Sequence, residues 1–483
     1  MSDLMDSALY IVVIAFYMAI LAVVGWLGKK KVRSISDWYV GGFKIGGIVM
    51  GVAFFATYFS AVLMIGFAGS ASKWGMSATV IGMWHAVSAV IAFAVLAPRL
   101  SKAFKELNAM TFSEFLSLRY GSKILGYTSA LIIAIFIIPY TVSAFIAMGS
   151  AISTIVGTPF WVGVLVAGAI IAVYVFSGGL FSATLAEFIQ GIVMTIAVVA
   201  VWIFSYMLLG GFVQAHEAMA AIDIRSVTFP AFGTTTWSVI IGLTAVMGFG
   251  MLVQPQMVLR YATISSRMNI KRALLIATFG SLLFPLAAYS YGALSRPILA
   301  SFGIDVMTLK DDLIVPLFVK SAFPAWLSVL FLAGIMCAAT STIDALIHMT
   351  AGTLTRDLVR PASKNISDKT QLRMTKIISL ILSLGCCIIA IYPPGLIYQL
   401  TAYTWQVLAS SFMGPLVMAL FYKGANKYGA LAGMVAGFAS AQLWYFFLAP
   451  PITPIYPFFP GVASSLIVSY LVSRVLVLGQ KQA

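Results

Sequence analysis

Charge is what this 483-residue sequence has least of. Asp, Glu, Lys and Arg together make up 9% of it, against about 25% in a water-soluble domain, which excludes a soluble globule. Cysteine and histidine are as scarce, three of each. Cys337, Cys386 and Cys387 have neither disulfide nor metal-site spacing, and the adjacent pair points to different helix faces, so all three read as filler. No low-complexity linker divides the chain, so one domain, 1–483, is the economical organisation. No motif gathers a nucleophile, a base and an orienting group, so the chain is not expected to be an enzyme.

What is present instead is hydrophobic sequence, 61% of all residues, in blocks long enough to cross a bilayer at about 20 residues each. Thirteen such blocks are legible, at 7–28, 46–71, 76–98, 124–154, 159–177, 181–209, 236–259, 271–294, 325–353, 372–392, 395–421, 428–449 and 456–478. The net charge of +15 suggests nucleic acid until its placement is considered. With the N-terminus outside and sides alternating, only Lys73, Arg225, Arg296, Lys310 and Lys320 fall outside. Every other Lys and Arg, including those in 260–272, falls on the cytoplasmic side. The basicity is therefore a topology signal. It predicts a multi-pass protein of the plasma membrane, N-terminus outside and C-terminus cytoplasmic, with lipid rather than nucleic acid around it. Span 1 is too long, and too poor in upstream basic residues, for a cleaved signal peptide.

Two shorter elements stand between spans. Thr111 and Glu114 have capping-box spacing, which predicts a short interfacial helix. Met307 to Ala322 alternates apolar and charged residues as an amphipathic surface helix does. Spans 2 to 6 and 7 to 11 form two sets of five, each led by a relatively polar, Gly-interrupted helix. An odd number of spans per copy inverts the second copy, the arrangement of secondary transporters with a site near the midplane. The expected layout is a first helix at 7–28, a first repeat at 44–210, an inverted second repeat at 236–421 and two peripheral helices at 428–478.

Only two acidic residues, Glu187 and Asp344, lie well inside spans. A carboxylate at mid-membrane costs roughly 2.5 to 3.5 kcal/mol even on lenient scales, so each needs a partner or a task. Ser341 and Thr342 stand one turn before Asp344, and three oxygen side chains in one turn suit a hard cation such as sodium. Back-bonding of both hydroxyls to the carbonyls of Cys337 and Ala338 is the competing reading. Asp344 and His348, four apart, share a face and form an ion pair, a protonatable couple or separate interhelical hydrogen bonds. In span 7, Pro255 between Gln254 and Gln256 interrupts a helix, which at membrane depth is tolerated only in protein or beside a cavity.

The segments SDWYVGGFKIGG, FFATYFSAVLMIGFAG, SGGLFSATLAEFIQG, QPQMVLRY and ATSTIDALIHMTAGTLTRDL follow one another as in the sodium/solute symporter family, which this chain resembles from about residue 7 to about 425. The resemblance implies an all-α integral membrane fold of thirteen helices with a five-plus-five, leucine-transporter-like core. It implies a sodium site formed by the carbonyls of Ala56, Phe59 and Ala338 and the hydroxyls of Ser341 and Thr342. The family's acid in the fifth core helix matches Glu187, and Asp344 and Ala345 stand where members with a second sodium tend to have Ser. Two carboxylates near one site repel unless a cation or proton sits between them, so Glu187 and Asp344 are expected to hold one or the other. The substrate contacts implied are Tyr58, Ser60, Tyr140, Met247, Met251 and Gln254. Met247 and Met251 replace the Trp and Tyr of the proline symporters, and Phe43, with Lys44 beside it, replaces their Arg, so proline is not implied.

The expected function is sodium-driven symport of a small organic solute, an amino acid, a carboxylate or similar, by alternating access. The alternatives are proton coupling through Glu187 and Asp344, a sensor on a transporter scaffold, and a passive channel.

Overall fold

The computed structural model describes residues 10–20, 23, 35–43, 45–175, 180–228, 237–264, 266–363, 366–448 and 455–482. Lys44 and the residues 177–179 of one quoted segment lie outside these. Among the described residues the chain is helical throughout, with one isolated bridge between Ile45 and Ile264. Nine helices are long and apolar enough to cross a membrane, or ten if the bent pair Ser238–Val253 and Pro255–Ala262 counts as one. Shorter apolar helices at Tyr10–Ile20, Gly47–Tyr58 and Phe160–Ala172 stand where further spans are expected.

The helix Val62–Glu106 folds back on itself at Gly75, whose φ of 70° suits glycine. Tyr291 and Gly292 lie beside Met64 and Ala68, Gly82 returns to Pro285 and Tyr289, and Ser101 reaches back to Ile264. Both arms therefore run along the helix Arg267–Ser301.

Two helices are broken at the core. Gly47–Tyr58 stops because Phe59 adopts an extended backbone (φ −100°, ψ 106°). Ser60 then restarts the helix as an N-cap does, its Oγ accepting from the N–H of Val62 at 3.1 Å. The carbonyls of the last turn before the break lose their helical donors. The second break is at Gln254, between the 3-10 turn Gly250–Val253 and the helix Pro255–Ala262, and the axis bends by 49°. Pro255 fits the first helical position, where its missing N–H costs nothing.

These breaks adjoin two long helices, Leu180–Leu208, which is exposed along one face, and the largely buried Ala325–Thr353. Gly191 is what lets the first of these approach Gly47–Tyr58: a Cβ there would sit 2.7 Å from Val52 Cγ1. Small residues at such contacts are how helices pack where lipid supplies no hydrophobic drive. The capping box forms, with the Glu114 N–H donating to Thr111 Oγ1 at 3.0 Å at the start of Phe112–Tyr120. The amphipathic helix runs Asp311–Ala322, and its Asp312 accepts from the N–H of Ile397, the first residue of the helix Ile397–Phe421.

Candidate functional site

Ser341 and Thr342 sit at the centre of Ala325–Thr353, where every residue from Gly334 to Thr353 is buried. The hydroxyl of Ser341 donates to the Ala56 carbonyl at 3.0 Å and also lies 3.1 Å from the Ala338 carbonyl. The hydroxyl of Thr342 reaches the Thr57 carbonyl at 3.4 Å. Both hydroxyls thus turn to the freed carbonyls of the first break. The anticipated back-bonding survives only as the Ser341 contact to Ala338, three residues upstream. Thr57 was not among the expected residues, and neither hydroxyl bonds to the Phe59 carbonyl. What the geometry assembles is a cluster of neutral oxygens from two helices, the kind of donor set a hard monovalent cation takes.

Three residues beyond Ser341 the chemistry changes. Glu187 is ion-paired to Arg260, and both are almost wholly buried, at 0% and 1% exposed. The other guanidinium nitrogen donates to Thr184 Oγ1 at 2.8 Å. Asp344 is close enough to feel the charge of both. This corrects the reading of Arg260 as part of a cytoplasmic basic flank. It lies on the short helix after the second break, facing inward, because a carboxylate on a neighbouring helix offers it a better partner than the flanking water. Asp344 and His348 are not joined: His348 packs against Trp38, ring centroids 5.1 Å apart.

The first break also borders a small cavity of about 20 Å³ lined by Tyr58, Ser60, Tyr140 and Met247 among the expected residues. Met251 and Gln254 are buried but do not line it. The tight turn at the second break swings Gln254 away, and its side chain donates to the Trp405 carbonyl at 3.0 Å. Sequence reasoning missed Tyr289, Thr401 and Trp405, which also line the wall, and did not place His85 there. Trp405 stacks on Tyr58 at 5.6 Å and 13°, and the Tyr58 hydroxyl is held by the Met247 carbonyl. The signal available was the polar and aromatic run TAYTWQ (401–406) inside an otherwise apolar span. Tyr140 stands beside the side chains of both Ser60 and Thr342, so the cavity adjoins the oxygen cluster.

A third group ties the first helix in. Tyr17 hydrogen-bonds Thr340 Oγ1, and the Gln190 amide donates to both at 3.0 and 2.9 Å. Thr340 immediately precedes Ser341, so Tyr10–Ile20 is anchored beside the oxygen cluster.

Two interrupted helices meeting inside an apolar helical bundle define a membrane transporter. The chain belongs to the sodium:solute symporter family, whose family model matches residues 38–437. It is thus a multi-pass membrane protein with Na+ as its coupling ion. It is 27% identical to the osmoregulated proline transporter OpuE of Bacillus subtilis (strain 168), over 96% of this chain and 94% of that one. It is 28% identical to the sodium/proline symporter of Staphylococcus aureus (strain USA300 / TCH1516), over 96% and 92%. Its fold is similar to that of a Na+-coupled sialic acid symporter solved in a substrate-bound outward-open state. The TM-score is 0.81, the identity 19%, and 97% of each chain is covered. The nucleobase-cation-symport-1 family transporter Mhp1 is more distant, with a TM-score of 0.54 at 16% identity over 90% of this chain and 93% of that one.

Proposed function

We infer that this protein couples sodium entry to the uptake of a small organic solute, an amino acid, a carboxylate or similar, by alternating access. The observation that carries this reading is Ser341, whose hydroxyl bridges carbonyls on two helices, Ala56 before the break and Ala338 on its own helix. Sodium would be held there by Ala56, Phe59, Ala338, Ser341 and Thr342, replacing the hydrogen bonds that the hydroxyls now make. Bound between a broken helix and a continuous one, the ion favours whichever arrangement of the two it binds more tightly, and its gradient acts only through that difference. The solute occupies the adjoining cavity at Tyr58, Ser60, Tyr140 and Met247, with Met251 and Gln254 behind it at the second break. Thirteen crossings, a five-plus-five inverted repeat, an external N-terminus, a cytoplasmic C-terminus and a plasma-membrane location complete the proposal.

Glu187, Asp344 and Arg260 together carry one uncompensated negative charge when all are ionised. A single proton or a second cation balances it, so proton coupling is the second reading. Proteoliposomes separate the two. Solute uptake should follow an imposed sodium gradient and be abolished by Ser341→Ala with Thr342→Ala; uptake driven by a pH gradient in sodium-free vesicles would replace the first reading by the second.

A further inference from the structure

The cavity beside the first break identifies its solute more closely than the symport reading does, and the step taken here rests on that reading. Seven of its walls are rings: Tyr58, Phe59, Phe67, His85, Tyr140, Tyr289 and Trp405. No Asp, Glu, Lys or Arg lines it. The wall itself offers a net charge no counterion, and burying one unpaired costs several kcal/mol or more, so it favours a solute that is neutral overall.

The polar groups of the wall divide into those already committed and those that are not. The Tyr58 hydroxyl donates to the Met247 carbonyl, Ser60 Oγ accepts from Val62, and Thr401 is bonded to Ser143 at 2.8 Å. Tyr140 stands beside Ser60 and Thr342. The indole N–H of Trp405 and the hydroxyl of Tyr289, both buried, have no hydrogen-bond partner among the described residues. Both can donate, and the indole can do nothing else. A buried donor without an acceptor costs about 1 to 3 kcal/mol, which a ligand oxygen would recover. On the acceptor side the wall is poor. His85 holds Nδ1 2.6 Å from the Ile81 carbonyl, so the neutral ring carries its hydrogen there and leaves Nε2 alone as an acceptor.

We propose that the solute is a zwitterion of the N-alkylated ammonium carboxylate class, its cationic head among the aromatic faces and its carboxylate on Trp405 and Tyr289. A primary ammonium brings three N–H donors, more than His85 Nε2 alone can accept, and the rest must compete for the hydroxyl and freed carbonyl oxygens of the break. Each alkyl group removes one of those donors while keeping the charge that the ring faces attract, the basis of quaternary ammonium recognition by aromatic cages. The cavity of about 20 Å³ has roughly one water's room. Tyr58 and Trp405, closed on one another at 5.6 Å, must therefore part to admit the head group.

The test titrates the purified full-length protein in detergent, in saturating sodium chloride, with trimethylglycine, proline, glycine and choline, and reads binding as thermal stabilisation. Trimethylglycine should half-saturate at a concentration about tenfold or more below that for glycine, with proline between them. Choline, which has the head group without the carboxylate, should bind about tenfold more weakly than trimethylglycine. Trp405→Leu should erase the preference for the alkylated head. Tyr289→Phe, which keeps the ring and the fold, should weaken the three carboxylates and leave choline unchanged. Glycine or choline binding as tightly as trimethylglycine overturns the assignment. So does silence from all four while sodium alone still stabilises the protein over potassium, which leaves the symport reading intact. Loss of the sodium response itself removes that reading, and this assignment with it.

Discussion

The hydroxyls of Ser341 and Thr342 and the carboxylate of Asp344 stand within one turn of a single helix, yet their surroundings are opposite. The first two face freed carbonyls at 3.0 to 3.4 Å, all neutral and all acceptors by nature. The last faces Glu187 and Arg260, an ion pair already closed. Oxygens crowded together without a cation are the arrangement that gains most from one. A carboxylate pair with a guanidinium in place has had most of that need met. The comparison teaches that the formal charge of a buried residue is a poor guide to where a metal ion binds: under the proposed function the neutral cluster is the sodium site, and the charged one holds helices together and tunes the cycle.

The largest effect expected from disturbing this contrast is on the charged side. Arg260→Gln leaves Glu187 buried and unpaired, and breaking a buried pair costs about 3 to 5 kcal/mol. Unfolding in detergent should show that loss, and Glu187→Gln added to it should recover most of the loss. If the single variant were as stable as the parent, the ion pair would not be what organises this region. Asp344→Asn acts on the cycle more than on the fold. It removes the charge that a proton or second cation must balance, so the dependence of uptake on sodium or on pH should change, and profiles identical to those of the parent would remove Asp344 from the coupling machinery. The smallest effect is at the edge of the neutral cluster. Tyr17→Phe deletes the hydroxyl that joins the first helix to Thr340, worth about 1 kcal/mol, and a double cycle with Thr340→Val should show the two effects to be shared rather than additive.

Much of this contrast was legible in the sequence, for reasons that differ by residue. Ser341 and Thr342 stood out as hydroxyls in an apolar span, and the match to the interrupted helix around Ala56 placed the partner of Ser341 but not Thr57, the partner of Thr342. The breaks at Phe59–Ser60 and Gln254–Pro255 carry local signals, a capping serine in one and a proline in the other. Arg260 was misread because a basic residue near the end of a span is the usual topology flank. Only the three-dimensional approach of Leu180–Leu208 reveals its carboxylate, 73 positions away in sequence. Trp405 was missed, and His85 not placed at the cavity, because aromatic residues are common in membrane helices, and which ring faces a cavity depends on rotation about the helix axis, which spacing alone does not fix. Met251 and Gln254 were expected at the cavity from the family resemblance, and the 3-10 turn at Gly250–Val253 rotates them out of it.

The central claim, that the neutral oxygens bind the coupling ion, is tested most directly by thermal unfolding of the purified protein in sodium against potassium. The parent should be stabilised by sodium in a saturable way, as binding to the folded state requires. Ser341→Ala with Thr342→Ala should lose that response while Glu187→Gln with Arg260→Gln keeps it. The reverse pattern, sodium stabilisation that survives loss of both hydroxyls and vanishes with the ion pair, would place the ion at the charged cluster and contradict the account.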